Sequence, residues 1–86
     1  MSFAPYPAVP EEFRVLSMMH NIGAITPERS LTVDELAQWT DMDASAVRAN
    51  LQKLKELGYV QFIESGGIEK YHVTQVGIIK VLTLYS

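Results

Sequence analysis

The stretch DASAVRANLQKLKELGYV, residues 43–60, decides the fold of this chain. Four apolar residues recur in it at i, i+4, i+7 and i+10, the spacing of one helix face: Val47, Leu51, Leu54 and Leu57. Gly58 follows at once and is a typical C-terminal stop. The opposite face is polar and largely cationic: Ser45, Arg48, Ala49, Gln52, Lys53 and Lys55. The pattern predicts a helix over about 44–57, with its leucine face buried and its polar face exposed.

The N-terminal segment changes character at its tenth residue. MSFAPYPAVP contains three prolines in ten residues, so we expect an extended arm over 1–9. Pro10, followed by two glutamates, suits the first turn of a helix, and Gly23 supplies a stop. The first helix should therefore span roughly 10–22, and a single domain should occupy 10–86.

A second, shorter helix is predicted between these two. Leu31 is expected in a short strand, and Thr32 with Glu35 three residues later forms a capping box. Its buried stripe should contain Val33, Leu36 and Ala37, with Trp39 as a fourth candidate. Either Asp41 or Asp43 is placed to cap the helix that follows.

A hairpin and a last helix complete the chain. YVQFIE has apolar residues in a strand-like pattern, SGG is a hairpin turn, and IEKYHVT is the return strand. We expect the return strand to divide its residues between two faces, Tyr71 and Val73 on one, Lys70 and His72 on the other, with His72 on the outer face. Thr74 can then cap the apolar segment QVGIIKVLTLYS as a terminal helix.

Composition narrows the class of protein. A chain of 86 residues forms one small domain, and the absence of cysteine excludes disulfides and thiolate metal sites. No apolar run approaches the roughly 18 residues of a membrane span, and the N-terminus lacks the plan of a signal peptide. We therefore expect a soluble, cytoplasmic protein. No phosphate loop, nucleophile motif or carboxylate pair is present, so neither an enzyme nor a bound cofactor or metal is predicted.

The order of these elements and three motifs resemble the winged helix-turn-helix of MarR/ArsR-like transcription regulators. The motifs are LTVDELAQWTDMDASAVRANLQKLKELGYV, the wing-like turn SGG, and YHVTQVG, which is similar to the family's Tyr-x-Leu-Thr-x-x-Gly. The resemblance covers roughly 11–80. It implies an α+β, mainly α fold with a three-helix core, a short β-hairpin wing and a C-terminal helix.

The resemblance also implies which residues meet double-stranded DNA. The helix of about 44–57 would lie in the major groove and present Ser45, Arg48, Ala49, Gln52 and Lys53. Arginine can bind guanine through two hydrogen bonds, and glutamine can read adenine. Ala49 departs from the many relatives that have a long basic or polar side chain there. In the wing only Lys70 offers a phosphate contact, and the alternative is a purely structural hairpin.

Charge works against nucleic-acid binding and leaves a second hypothesis open. The net charge is −3 and the pI near 5.2, whereas phosphate neutralisation by basic residues usually supplies most of the affinity for DNA. Residues 41–58 are nevertheless locally neutral, since Asp41, Asp43 and Glu56 balance Arg48, Lys53 and Lys55. The alternative is a winged-helix module that binds another protein and not DNA.

The last helix predicts a homodimer. Its apolar residues surround nearly the whole helix, more than one face of a small core can cover. The predicted dimer residues are Phe3, Tyr6, Ile78, Ile79, Leu82 and Tyr85. The alternative is a central core helix in a compact monomer. A small-molecule effector pocket lined by Trp39, Met18, Met19 and Met42 is a further alternative to plain core packing, and the effector itself stays unknown.

Overall fold

A computed structural model describes residues 9–84 of the chain, so the predictions for Phe3, Tyr6 and Tyr85 lie outside the described residues. The elements are α1 (Glu11–Asn21), a 3-10 turn (Pro27–Arg29), β1 (Leu31–Thr32), α2 (Val33–Thr40), α3 (Ala44–Glu56), β2 (Val60–Ser65), β3 (Ile68–Val73) and α4 (Gln75–Leu84). This order confirms the predicted fold class, a mainly helical α+β domain with a three-stranded antiparallel sheet.

Local sequence signals account for most of the helix ends. The capping box of α2 is formed: the Thr32 amide donates to Glu35 Oε1 at 2.8 Å, and the Glu35 amide donates to Thr32 Oγ1 at 3.1 Å. Thr74 Oγ1 accepts from the Gly77 amide at 3.0 Å, as predicted for the start of α4. Of the two aspartates predicted as candidates to cap α3, Asp43 occupies the N-cap position but makes no side-chain hydrogen bond there, and Asp41 instead ends α2 in the left-handed conformation at φ 57°.

The sheet has the order β1-β3-β2, so β3 is its central strand. The hairpin register runs from Val60 opposite Val73 to Ser65 opposite Ile68. Two glycines alone connect the strands, and both have positive φ, 59° at Gly66 and 82° at Gly67. Such a tight turn needs residues without a Cβ, which confirms SGG as the hairpin turn.

The core lies between the three N-terminal helices, the sheet and α4. Val47, Leu51 and Leu54 of the predicted leucine face of α3 are buried in it. The other elements contribute Leu16, Met19, Leu36, Val60 and Val73. Leu57 was predicted on that face but is exposed. The reason is that α3 ends at Glu56 and the chain turns away at Gly58, where φ is 80°.

Two further residues depart from the predicted burial. Trp39 is 57% exposed, because the buried face of the eight-residue α2 is limited to Val33 and Leu36, with Ala37 half-buried. His72 was expected on the outer face of the hairpin, yet it is only 5% exposed. It lies on the central strand, and the hydroxyl oxygen of Ser30, beside the 3-10 turn, is 3.3 Å from its Nδ1 atom.

Candidate nucleic-acid interface

The outward side of α3 is the candidate interface. Five side chains there are exposed, and together they form what we call the α3 outer face: Ser45, Arg48, Ala49, Gln52 and Lys53. On the opposite side of the same helix, Val47, Leu51 and Leu54 are buried against α1 and α2. The packing thus fixes the orientation of α3 and leaves its polar side directed at solvent.

Arg48 lies at the edge of a cavity of about 350 Å³ between the start of α2, α3 and the hairpin. Three carboxylates also line this cavity, and we call them the acidic rim: Asp34, Glu64 and Glu69. Among residues 9–84 the only ion pair within 4.0 Å joins Arg14 to Glu11. The guanidinium of Arg48 therefore faces the acidic rim across the cavity without a direct ion pair, and its donors remain available to a ligand.

The neighbouring polar residues differ in how freely they can move. Gln52 Nε2 donates to Glu56 Oε2 at 3.2 Å, an exposed contact one helical turn along α3. Such an exposed hydrogen bond is readily exchanged for one to a ligand. Lys55 instead places its ammonium over the Phe62 ring at 4.4 Å and so turns toward β2. Lys53 and not Lys55 is therefore the free cation in this half of the α3 outer face.

The hairpin separates Lys70 from the α3 outer face. Lys70 is half-buried and lies opposite Ile63 on one side and Thr32 on the other, in the middle of the sheet. Side chains alternate along a strand, so Lys70 lies on the opposite side of the hairpin from Glu69 and Tyr71. The tip, residues 64–69, contains two glutamates and no cation. A phosphate contact by Lys70 would thus be made apart from α3.

Tyr71 and Glu69 form a hydrogen-bonded pair that was not predicted from the sequence. The Tyr71 hydroxyl donates to Glu69 Oε1 at 2.7 Å, and its ring packs against Phe62 at 5.7 Å between centroids. Burial, followed by the hydrogen bond and the negative charge of Glu69, raises the pKa of Tyr71 to about 12, although Arg48 opposes the shift. The i, i+2 spacing on one strand face was the available signal.

Within residues 9–84, the helix α4 presents an exposed apolar surface. Three residues at i, i+3 and i+6 form what we call the α4 stripe: Val76, Ile79 and Leu82, which are 57%, 61% and 59% exposed. Ile78 is half-buried against the core, and Val81 is buried. Of the predicted dimer residues, Ile79 and Leu82 thus lie at the surface together, and Ile78 faces inward.

The candidate effector residues do not converge on one site. Met18 and Met42 line a cavity of about 200 Å³ together with Glu11, Arg14, Val15 and Thr40. Met19 is fully buried in the core, and Trp39 lies at the surface outside this cavity. Within the described part of the chain no group of three potential metal ligands occurs, and no helix has the length and apolarity that crossing a membrane requires.

A helix pair with an exposed polar second helix, backed by α1 and flanked by a β-hairpin and α4, defines the winged-helix class of DNA-binding domain. A family model described as the MarR family matches residues 9–67. The chain therefore belongs to the MarR family, whose members are transcription regulators and not enzymes.

Solved structures support the same fold. The solution structure of the DNA-binding TubR fragment from Clostridium botulinum aligns with a TM-score of 0.76 and 28% identity, over 90% of this chain and 98% of that one. A mutant of S. aureus MepR bound to an oligodeoxyribonucleotide aligns with a TM-score of 0.75 and 15% identity, over 90% of this chain and 55% of MepR.

A MarR family protein from Bacillus stearothermophilus aligns with a TM-score of 0.72 and 19% identity, over 93% of this chain and 53% of that one. The MepR and Bacillus proteins, at this low identity, show the fold alone. This chain spans about half the length of each of these two proteins, whereas it spans nearly all of the TubR fragment. No functionally curated protein matches the chain.

Proposed function

We propose that this protein is a transcription regulator that binds double-stranded DNA as a homodimer and places α3 in the major groove. The observation that carries the proposal is the α3 outer face, where Arg48, Gln52 and Lys53 are exposed while the leucine side is buried. Arginine and glutamine read guanine and adenine edges through paired hydrogen bonds. Lysine and serine hold phosphates and thereby set the register. A regulator of this kind acts on DNA in the cytoplasm.

The net charge of −3 makes DNA binding by a single copy of the chain weak. A single α3 outer face provides two cations, Arg48 and Lys53, and the hairpin tip provides none. Affinity for DNA rises with the number of phosphates neutralised, so two copies are needed for firm binding. The α4 stripe offers the apolar surface on which a second copy can pack. Such a dimer would bind two half-sites about one helical turn, roughly 34 Å, apart.

A salt titration with a matched pair of variants tests the proposal. Wild-type protein should bind duplex DNA at about 50 mM salt, with an affinity that falls steeply as salt is raised. Arg48→Ala should relax sequence selectivity at the base pair that Arg48 reads, because a bidentate guanine contact contributes about 1–3 kcal/mol of discrimination.

Arg29→Ala is the control, since it removes the same charge from the 3-10 turn. The turn precedes Leu31, which pairs with Tyr71, and so lies away from the hairpin tip. Retained selectivity in Arg48→Ala, or equal losses in both variants, would contradict the role given to α3.

One observation favours a second function, a protein-binding module. Three carboxylates line the same cavity as Arg48, an arrangement that disfavours a polyanion. A folded wild-type protein that fails to bind any duplex at about 50 mM salt would support this alternative and exclude the regulator.

A further inference from the structure

The hairpin holds two like charges opposite each other. Glu64 and Glu69 are direct cross-strand partners, and both carboxylates line the cavity that contains Arg48. Like charges in this position destabilise a hairpin. The hairpin therefore gains no stability from this pair. The two charges instead affect the cavity that they line together with Arg48.

Glu69 is connected to α3 by a series of side-chain contacts. Lys55 packs its ammonium on the Phe62 ring, Phe62 packs against the Tyr71 ring, and the Tyr71 hydroxyl donates to Glu69 Oε1. Each contact restricts the next side chain. The carboxylate of Glu69 is thus positioned relative to α3, the helix that presents Arg48.

The local charge at the cavity discriminates between two kinds of ligand. The acidic rim contributes three negative charges against the single positive charge of Arg48. A phosphate that approaches this arginine meets net repulsion, because like-charge juxtaposition is costly at an interface. A guanine edge presents neutral acceptors and meets much less repulsion. The acidic rim thus disfavours phosphate, which is present in every DNA sequence, and tolerates a guanine edge, which identifies a base.

We propose that Glu69, held by Tyr71, is a specificity-determining residue that keeps phosphate away from Arg48 and reserves this arginine for a guanine edge. The inference rests on the proposed function, since it concerns the same α3 outer face. The acidic hairpin would then contribute to DNA discrimination without itself contacting the DNA.

Glu69→Gln isolates the charge, because glutamine has nearly the same shape and its amide oxygen can still accept from Tyr71. Two probes are needed: a duplex that the wild-type protein selects from a random library, and a random-sequence duplex of equal length. Loss of the charge should raise the affinity for the random-sequence duplex about fivefold more than that for the selected duplex. The salt slope of the random-sequence complex should steepen by about one.

Three further variants separate charge from structure. Glu69→Asp retains the negative charge and should keep most of the discrimination. Glu64→Gln removes the other rim charge of the hairpin and should act in the same direction as Glu69→Gln. Glu28→Gln removes an equal charge from the 3-10 turn, outside the acidic rim, and should change the affinities for both duplexes by the same factor.

The outcomes distinguish the two proposals. If wild-type protein binds DNA selectively but Glu69→Gln and Glu64→Gln shift both duplexes equally, the role of Glu69 is excluded and the regulator stands. If wild-type protein binds neither duplex at about 50 mM salt, the proposed function fails and the inference fails with it.

Discussion

Arg48 and Asn50 are two positions apart on α3 and have opposite surroundings. Arg48 is exposed at the edge of the acidic cavity, whereas Asn50 is buried and its Nδ2 donates to Glu11 Oε1 at 3.0 Å. The buried amide ties α3 to the start of α1, so it helps to fix which side of α3 faces outward. A buried polar group without a partner lowers the stability of the fold, so an orientation of α3 that keeps the Asn50 hydrogen bond is favoured. In this orientation Arg48 is exposed.

His72 gives the domain a predictable dependence of stability on pH. The hydroxyl of Ser30 donates to the Pro27 carbonyl at 2.6 Å, so at His72 it accepts from the Nδ1 proton of a neutral ring. Burial lowers the pKa of His72, and the charge of Glu28 opposes this only in part. Because the folded pKa lies below the unfolded one, the unfolded state binds a proton first as pH falls. Stability should therefore be full above about pH 6.5 and decline as pH falls toward the folded pKa.

Urea unfolding of wild-type protein and His72→Gln checks this dependence. Between pH 7.5 and pH 5 the wild-type protein should lose more unfolding free energy than the variant, in which this titration is absent. The carboxylates titrate in both proteins, so the variant corrects for them. Equal losses would mean that His72 titrates in the folded protein as it does in the unfolded chain.

Among the secondary-structure elements, the periodicity of apolar residues predicted the helix bounds, which depend on local sequence. The predicted helix of 44–57 is observed at Ala44–Glu56, and the predicted helix of 10–22 at Glu11–Asn21. The proline before α1 and the glycines that follow both helices, Gly23 and Gly58, lie within two residues of the helix ends, which explains this accuracy.

What periodicity missed depends on neighbours that are distant in the chain. Strand alternation placed His72 outside, because it carries no information that β1 and the 3-10 turn cover this part of the central strand. Likewise, the motif YHVTQVG includes Gly77 but does not give the reason for a glycine there. A Cβ at this position would clash with the Tyr59 carbonyl oxygen, so only glycine lets α4 pack this closely. The contact of Tyr71 with Glu69 depends on side-chain rotamers, and spacing alone could only suggest it.

At the scale of the whole molecule, charge and apolar surface are divided between two sides. The α3 outer face contributes cations to a chain whose net charge is −3, and the α4 stripe contributes exposed apolar side chains. A monomer with this distribution would bind DNA weakly and leave the α4 stripe exposed to solvent. A dimer through α4 would cover the stripe and double the number of phosphate contacts.

Ile79→Glu tests this arrangement. The residue is at the centre of the α4 stripe and is solvent-exposed in one copy, so the variant should fold normally and dissociate. We expect its dimer dissociation constant to rise by about tenfold or more. Ile68→Glu is the matched control, because this isoleucine is similarly exposed on the hairpin. Sedimentation velocity over a range of concentrations measures both, and a monomeric wild type or an undiminished dimer in Ile79→Glu would exclude the α4 interface.

Contact between the α3 outer face and the DNA duplex can be measured by titrating isotope-labelled protein with a selected duplex and following the amide chemical shifts. We expect the largest changes at Ser45, Arg48 and Gln52, reduced as salt is raised, with Lys80 on α4 little affected. Changes confined to α4 or the hairpin, with an unchanged α3, would contradict this contact.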